Sequence, residues 1–342
     1  MTTRTRSLNS SARGQAGLTL IELMVAMAVS LLIVLAALAA LIISRQGFTN
    51  VDTSAQLRDS ARFAEDTLQR LGVQAGHKDL LFVASGAPAS TKGLSTNESN
   101  IFGYNNRTRS ATQGWSEANS TPRTAGSLGY GSDILVLRFQ STRSSITSTK
   151  ADGGMIDCSG ATPLALPMDY SDRVASVLHV ATSSDGEPAL MCTRWPDSGG
   201  SADTQPLVQG VENFQVLYGV DGIGPGNFSL PAATSADSVT DRYLRADQLT
   251  VSDAAVNTAN WQRVRSIRIG MVLRGPVNSA VDKTAQTYYP LGTAKSTSGG
   301  AVGSMFADTA NDPGSKFTAP ADGRLRQVVT FTIHLRNPQG DI

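Results

Sequence analysis

Histidine and cysteine are scarce in this 342-residue chain, at three and two copies, and charged side chains make up only 17% of it. The two cysteines, Cys158 and Cys192, lie far apart with no CxxC motif and no histidine cluster beside them. A zinc site needs about four ligands at close spacing, so zinc chemistry is excluded. Net charge is also lacking: 29 basic and 28 acidic residues leave a formal +1. A nucleic-acid binder usually carries a strong basic excess, so no nucleic-acid partner is expected. What the chain does have is 40% hydrophobic residues, enough for a sizeable core, and 32 glycines among many serines and threonines. Such a composition predicts a body rich in strands and loops, commoner in exported bacterial proteins than in cytosolic enzymes. The length allows one large domain or two ordinary ones.

The first 17 residues carry Arg4, Arg6 and Arg13 and no acid, and then GLTLIELMVAMAVSLLIVLAALAALIIS begins. From Leu23 to Ile43 there is no charge, and Ser30 is the one hydroxyl. About twenty helical residues rising 1.5 Å each span roughly the 30 Å hydrocarbon layer. The basic leader stays on the cytoplasmic side, which sends the C-terminal part across the membrane. An ordinary secretory signal fits poorly. Ala37-Leu38-Ala39 offers an A-x-A site, but the apolar run continues through Ile42 and Ile43 with no polar cleavage region. A plain signal anchor fits the length but leaves Glu22 unexplained. A carboxylate costs about 2.5–3.5 kcal/mol at the centre of a span and less near its edge. In an isolated anchor Glu22 snorkels to the headgroups; in an assembly its charge has a partner.

In an oxidising compartment Cys158 and Cys192 would form a disulfide, stabilising the fold by about 3–4 kcal/mol on the chain-entropy model. In a cytosolic protein they would be two buried thiols.

A short basic leader ending in Gly17, followed by LTLIELMVA with Glu22 in fifth place after it, resembles the class III signal of type IV prepilins. The match joins the glycine, a hydrophobic first residue, threonine, glutamate and the long apolar run. Family members usually begin with phenylalanine, where this chain has Leu18. The resemblance implies cleavage between Gly17 and Leu18 by prepilin peptidase and N-methylation of Leu18. It also implies that ionised Glu22 attracts the terminal amine of an adjacent subunit during assembly, setting register. The expected organisation is a leader over 1–17, a transmembrane and amphipathic helix over 18–72, and an extracytoplasmic, mostly β head over 73–342.

Beyond the membrane, Leu57, Ala61, Ala64, Leu68 and Leu71 recur at helical spacing. Arg62–Asp66 and Asp66–Arg70 read as i,i+4 pairs on the other face, Gly47 as a loosening point and Gly72 as the stop. Residues 84–132 read as long loops. Alternating apolar positions then predict strands in DILVLRF, over Val174 to Val180, in ENFQVLYGVD, in RSIRIGMVLRG and in QVVTFTIHLRN. Apolar residues on one face and polar ones on the other suit an antiparallel sheet covered on one side by the helix. The fold class is α+β and pilin-like: a long N-terminal transmembrane helix packed on an antiparallel β-sheet head with long loops.

No catalytic constellation emerges. His334 falls on a polar strand face, and His77 and His179 lack a nucleophile motif. Gly222, Gly224 and Gly226 with Pro225 read as a turn and not a phosphate loop. Asp221 alone cannot hold calcium, which takes six to eight oxygen ligands. The Asn97 and Asn106 triplets are expected by chance in a chain so rich in Ser and Thr. No metal or cofactor is implied, and no enzyme.

RFAEDTLQRLGVQAG, GVENFQVLYGVDG, DRYLRADQLT, WQRVRSIRIGMVLRGP and RQVVTFTIHLRN resemble PilW-type minor pilins. GIGPGN follows YGVD where relatives often place acids. The resemblance implies a subunit of a small complex that starts pilus assembly in the inner membrane and stays at or near the tip. Its implied partners are other minor and major pilins, prepilin peptidase, the inner-membrane assembly platform, membrane lipid and a tip adhesin. The implied location is a single-pass inner-membrane protein with a periplasmic head, then the pilus. A J-like minor pseudopilin of type II secretion would share the leader. An anchored periplasmic enzyme or binding module would need a convergent polar site in the head.

Overall fold

The computed structural model describes residues 17–79, 99–109, 120–163, 165–167, 172–195, 202–293, 312–337 and 339. The chain divides into two compact units, one up to Val51 and one from Asp52 onward. The leader arginines and Asn97 lie outside the described residues, as do much of 84–132 and the last residues of the chain.

Helix α1 runs from Leu20 to Gln74, 55 residues with no proline to break the backbone ladder. Gly47 does not interrupt it, and the helix ends two residues beyond the expected stop. Gly72 is not the terminator. It is a close-packing position, where an added Cβ would sit 2.6 Å from Ile333 Cγ2. Termination falls instead to Gly76, whose φ of +79° suits glycine and whose amide donates to the Arg138 carbonyl at 2.8 Å. The carbonyls orphaned at a helix C-terminus need outside donors. Asn337 supplies them, its Nδ2 reaching the oxygens of Val73, Gln74 and Ala75 at 3.0, 3.4 and 3.1 Å.

From Thr53 on, the buried face of α1 comprises Thr53, Leu57, Ala61, Ala64, Leu68 and Leu71, the stripe that the spacing predicts, with Gly72 beside it. No ion pair joins Arg62 to Asp66 or Asp66 to Arg70 among the described residues. Exposed pairs on long side chains gain at most about 0.5 kcal/mol, too little to hold them in one geometry.

The stripe packs into a core built from two antiparallel sheets and not from one. The five-stranded sheet has the order β1 (Ile101–Tyr104), β4 (Ile134–Phe139), β5 (Val174–Thr182), β6 (Pro188–Trp195), β7 (Asp203–Gln209). The four-stranded sheet runs β13 (Arg326–His334), β10 (Val264–Arg274), β8 (Val211–Val220), β9 (Arg242–Leu244). Two small ribbons complete the head: β2 (Arg107–Arg109) with β3 (Ser120–Pro122), and β11 (Gln286–Tyr288) with β12 (Phe317–Ala319). All five strands expected from alternation are present. However, β4 and β8 are buried at every position, so their polar residues do not form a solvent face.

The reason lies in how the sheets are joined. Strand β8 pairs fully with β10 on one side but with β9 only over its last three residues. Its unpaired stretch bonds to the chain entering β4. Asp133 donates its amide to the Phe214 oxygen at 2.8 Å. The Asp133 Oδ2 accepts from Val216 N at 2.8 Å, and Ser132 Oγ accepts from Phe214 N at 3.1 Å. Buried backbone groups must be paired, and these bonds do it while stitching one sheet to the other. Where they cross, Gly103 lies so close to the Tyr218 hydroxyl and the Ile134 oxygen that no Cβ fits.

Within 84–132 the structure places β1, β2 and β3, so this region is not simply loop. Arg123 organises it, donating to the carbonyls of Arg107, Ser132, Leu128 and Val180. Asn106, with φ +46°, is a turn residue whose Oδ1 accepts from Gly131 N at 2.8 Å.

Candidate assembly site at the helix N-terminus

Gly17, Leu18 and Thr19 precede α1 outside any helix or strand, and both Gly17 and Leu18 are exposed; among the described residues nothing lies within 4 Å of a Cβ placed on Gly17. Thr19 is the N-cap. Its Oγ1 accepts from Glu22 N at 3.3 Å, while Glu22 Oε2 accepts from both Thr19 N and Thr19 Oγ1, each at 3.3 Å. This is a reciprocal capping box, in which two orphan amides of the first turn are satisfied by side chains. The carboxylate also stands at the positive end of the helix dipole. Glu22 Oε1 has no partner among the described residues, so half of the carboxylate is free to accept another donor.

Past Glu22 every side chain up to Ile43 is exposed in the isolated chain, at a mean hydropathy of 2.9 over its most apolar 18-residue stretch. Ser30 returns its hydroxyl proton to the Met27 oxygen at 2.9 Å, so the one hydroxyl in the run needs no water. An apolar rod with satisfied backbone and one acid at its tip can lie in lipid or against other rods like itself.

The box was readable as Thr-x-x-Glu ahead of an apolar run. Glu22 is therefore not only a charge that needs a partner, because Thr19 already holds one of its oxygens. Residues Gly17, Leu18, Thr19 and Glu22 are thus gathered at one helix tip. Cys158 and Cys192 belong elsewhere, in the head, where they form a disulfide with Cα atoms 5.7 Å apart.

The other residues weighed from sequence have structural duties. Asp221 is fully buried; its Oδ2 accepts from Arg265 Nε at 3.1 Å and Ser238 N at 2.9 Å, and its Oδ1 from Asp237 N at 3.2 Å. Both oxygens are therefore spent on clamping the loop that leads into β9. His179 is buried against Thr193 Oγ1 at 3.1 Å. Burial, with Arg109 and Arg123 adding to it, pushes its imidazole down to about 3. His77 meets Thr142 Oγ1 at 2.6 Å and is likewise lowered by burial. His334 is exposed.

These features define a class: a membrane-anchored pilin precursor, with a methylation-type N-terminus on an apolar helix and a β head. Comparison with known families is specific. Residues 12–38 match the prokaryotic N-terminal methylation motif, and residues 177–337 match PilW, the type IV pilus-assembly protein W. Over that head segment the chain matches the PilW family of type IV pilus-assembly proteins, a family of structural pilin components. The matched head segment opens inside β5 and closes at Asn337, the residue that caps the end of α1.

No curated protein matches the chain. Among solved structures, a type IV-like pilin, TTHA1219 from Thermus thermophilus, aligns over 83% of this chain and 98% of its own at 14% identity and a TM-score of 0.39.

Proposed function

We propose that this chain is a minor pilin that primes type IV pilus assembly in the inner membrane and remains at or near the pilus tip. Prepilin peptidase removes residues 1–17 on the cytoplasmic face, and the new amine of Leu18 is methylated. What remains is the anchor helix followed by a periplasmic head. The observation that carries this reading is Glu22, the one charge in the apolar rod, held at the helix tip with one carboxylate oxygen open. An ammonium on a neighbouring subunit fits that opening. In low dielectric a paired charge is far cheaper than a lone one, so only subunits aligned with tips in register pack without penalty.

The head contributes contacts to other minor pilins, to the major pilin below it and to an adhesin carried at the tip. The assembly platform receives the anchored subunit from the lipid. No step of this reading requires catalysis by the chain itself.

Gold-labelled antibody against the head, applied to intact cells, tests the location. Label confined to pilus ends, with few pili made in a strain lacking the gene, is the expected result. Label spread evenly along shafts, or normal piliation without the gene, would reject the priming role.

A further inference from the structure

One face of the head carries a groove of about 1010 Å³, at the upper end of the size of ligand sites. Its floor is the end of the four-stranded sheet, from Val264 and Arg265 of β10 to His334 and the residues following β13. One wall is the chain from Pro231 to Tyr243, and the other is formed by Ala259 and Gln262.

The charge in this groove is one-sided. Arg263, Arg265, Arg336 and His334 line it, and among the described residues no lining residue is acidic. Arg265 is neutralised from behind by Asp221 at 3.1 Å. Arg263 donates Nη2 to the Ala232 oxygen at 2.7 Å, which fixes its guanidinium; its Nη1 is buried without a partner, and no carboxylate among the described residues offsets its charge. Arg336 is exposed and makes no ion pair among the described residues. At the other end of the same sheet the arginines are saturated: Arg274, Arg324 and Arg326 share Glu187, Glu212 and Asp322. The unanswered cations of the groove are therefore a local property of a near-neutral chain.

The rim is apolar as well. Val239, which lines the groove, is 60% exposed, and the chain leading to Pro231 carries Phe228 at 78% exposure and Leu230 at 66%. That loop is held rigidly. Asn227 Nδ2 donates to Asn260 Oδ1 at 2.8 Å, Asn260 Nδ2 returns a bond to the Asn227 oxygen at 2.9 Å, and Gly226 N donates to the Gln248 oxygen at 2.7 Å. A large aromatic fixed in water by hydrogen bonds behind it is a pre-organised contact and not a side chain that failed to fold in.

We infer that this groove binds an acidic peptide segment of another protein, with a carboxylate on the exposed Arg336, the charge of Arg263 adding to the attraction from beneath, and flanking apolar side chains on Phe228, Leu230 and Val239. Charge complementarity selects an anion. The apolar rim and the net charge of +1 favour a peptide over a nucleic acid, whose phosphates would find nothing to pair with at the rim. Exposed arginine–carboxylate pairs gain about 1 kcal/mol or less each, so binding is weak, salt-sensitive and suited to contacts that form and exchange. This site goes beyond the priming role and stands without it, because it is read on the purified chain alone.

The test uses full-length protein in detergent micelles and fluorescence anisotropy. The probes are a labelled nonapeptide alternating Asp and Phe, its Asn/Phe counterpart, and a labelled thymidine nonanucleotide. The acidic peptide should bind saturably and at least tenfold more tightly than the neutral one. Arg336→Glu, which disturbs no observed bond, should weaken it at least fivefold, and Phe228→Ala about threefold. Arg62→Glu on the exposed face of α1 should leave it unchanged. Equal affinity for the acidic and neutral peptides would overturn the assignment. So would unchanged binding by Arg336→Glu, or an oligonucleotide that binds more tightly and displaces the peptide.

Discussion

Replacing Glu22 by glutamine separates two roles that alanine would confound. The capping box at Thr19 accepts Glu or Gln at its third position, so Glu22→Gln keeps the first turn of α1 closed while removing the charge. If Glu22 served only its own helix, the loss would be the acid–dipole contribution of about 0.3–1 kcal/mol, an effect of at most about fivefold on any equilibrium. If it pairs with a neighbour's ammonium, glutamine strands a cation in the filament core. Breaking a buried pair costs about 3–5 kcal/mol, or more than a hundredfold in the docking equilibrium. Thr19→Ala makes the opposite cut: it removes the cap, worth about 1 kcal/mol, and keeps the charge. Chain recovered in sheared pilus fractions, normalised to chain in the membrane, reads out both. The expected order is wild type, then Thr19→Ala modestly reduced, then Glu22→Gln nearly absent, with membrane insertion equal in all three. Wild-type recovery of Glu22→Gln would refute the pairing and leave Glu22 as a cap.

Three further outcomes follow from the head. Tyr218 is buried with its hydroxyl unpartnered beside Gly103, so Tyr218→Phe should leave stability unchanged or raise it by about 1 kcal/mol; a clear fall in the thermal midpoint would mean the hydroxyl is bonded. Asp312 is buried with Oδ2 unpartnered, and burial raises its carboxyl to about 6, above the unfolded value. Its protonated form therefore favours the fold at low pH, and that contribution is lost as pH rises through about 6. Asp312→Asn should accordingly stabilise the head more at pH 7.5 than at pH 4, and equal effects in denaturant titrations at the two values would contradict this. Gly72→Ala forces a Cβ to within 2.6 Å of Ile333 Cγ2 and should destabilise by about 1–3 kcal/mol, with Ile333→Ala relieving part of the loss; additive effects in the double-mutant cycle would show that the two do not touch.

The long elements were legible because each carries a strong period. The apolar run and the Leu57–Leu71 stripe fixed α1, and alternation located β4, β5, β8, β10 and β13. Periodicity says which residues share a face but not what covers it. It therefore missed the second sheet and the burial of both faces of β4 and β8, which depends on Ser132 and Asp133 reaching Phe214 and Val216. Three-residue strands such as β2 and β3 carry no period at all. Strand β7 has Pro206 and exposed polar residues, and it is tolerated because it lies at a sheet edge. Gly72 shows how one residue type serves two ends. A glycine near the close of a helix reads as a terminator, yet here it admits Ile333, and Gly76 and Asn337 do the terminating. Gly17, Leu18 and Glu22 could be named because their chemistry is local. The groove could not be, because Arg263 and Arg336 meet only through the fold.

Intact mass and N-terminal sequencing of the native chain, purified from cell envelopes, test the central claim most directly. The account predicts a polypeptide that begins at Leu18 with a methyl group on its amine. A chain that begins at Met1, or beyond Ala39, would contradict it.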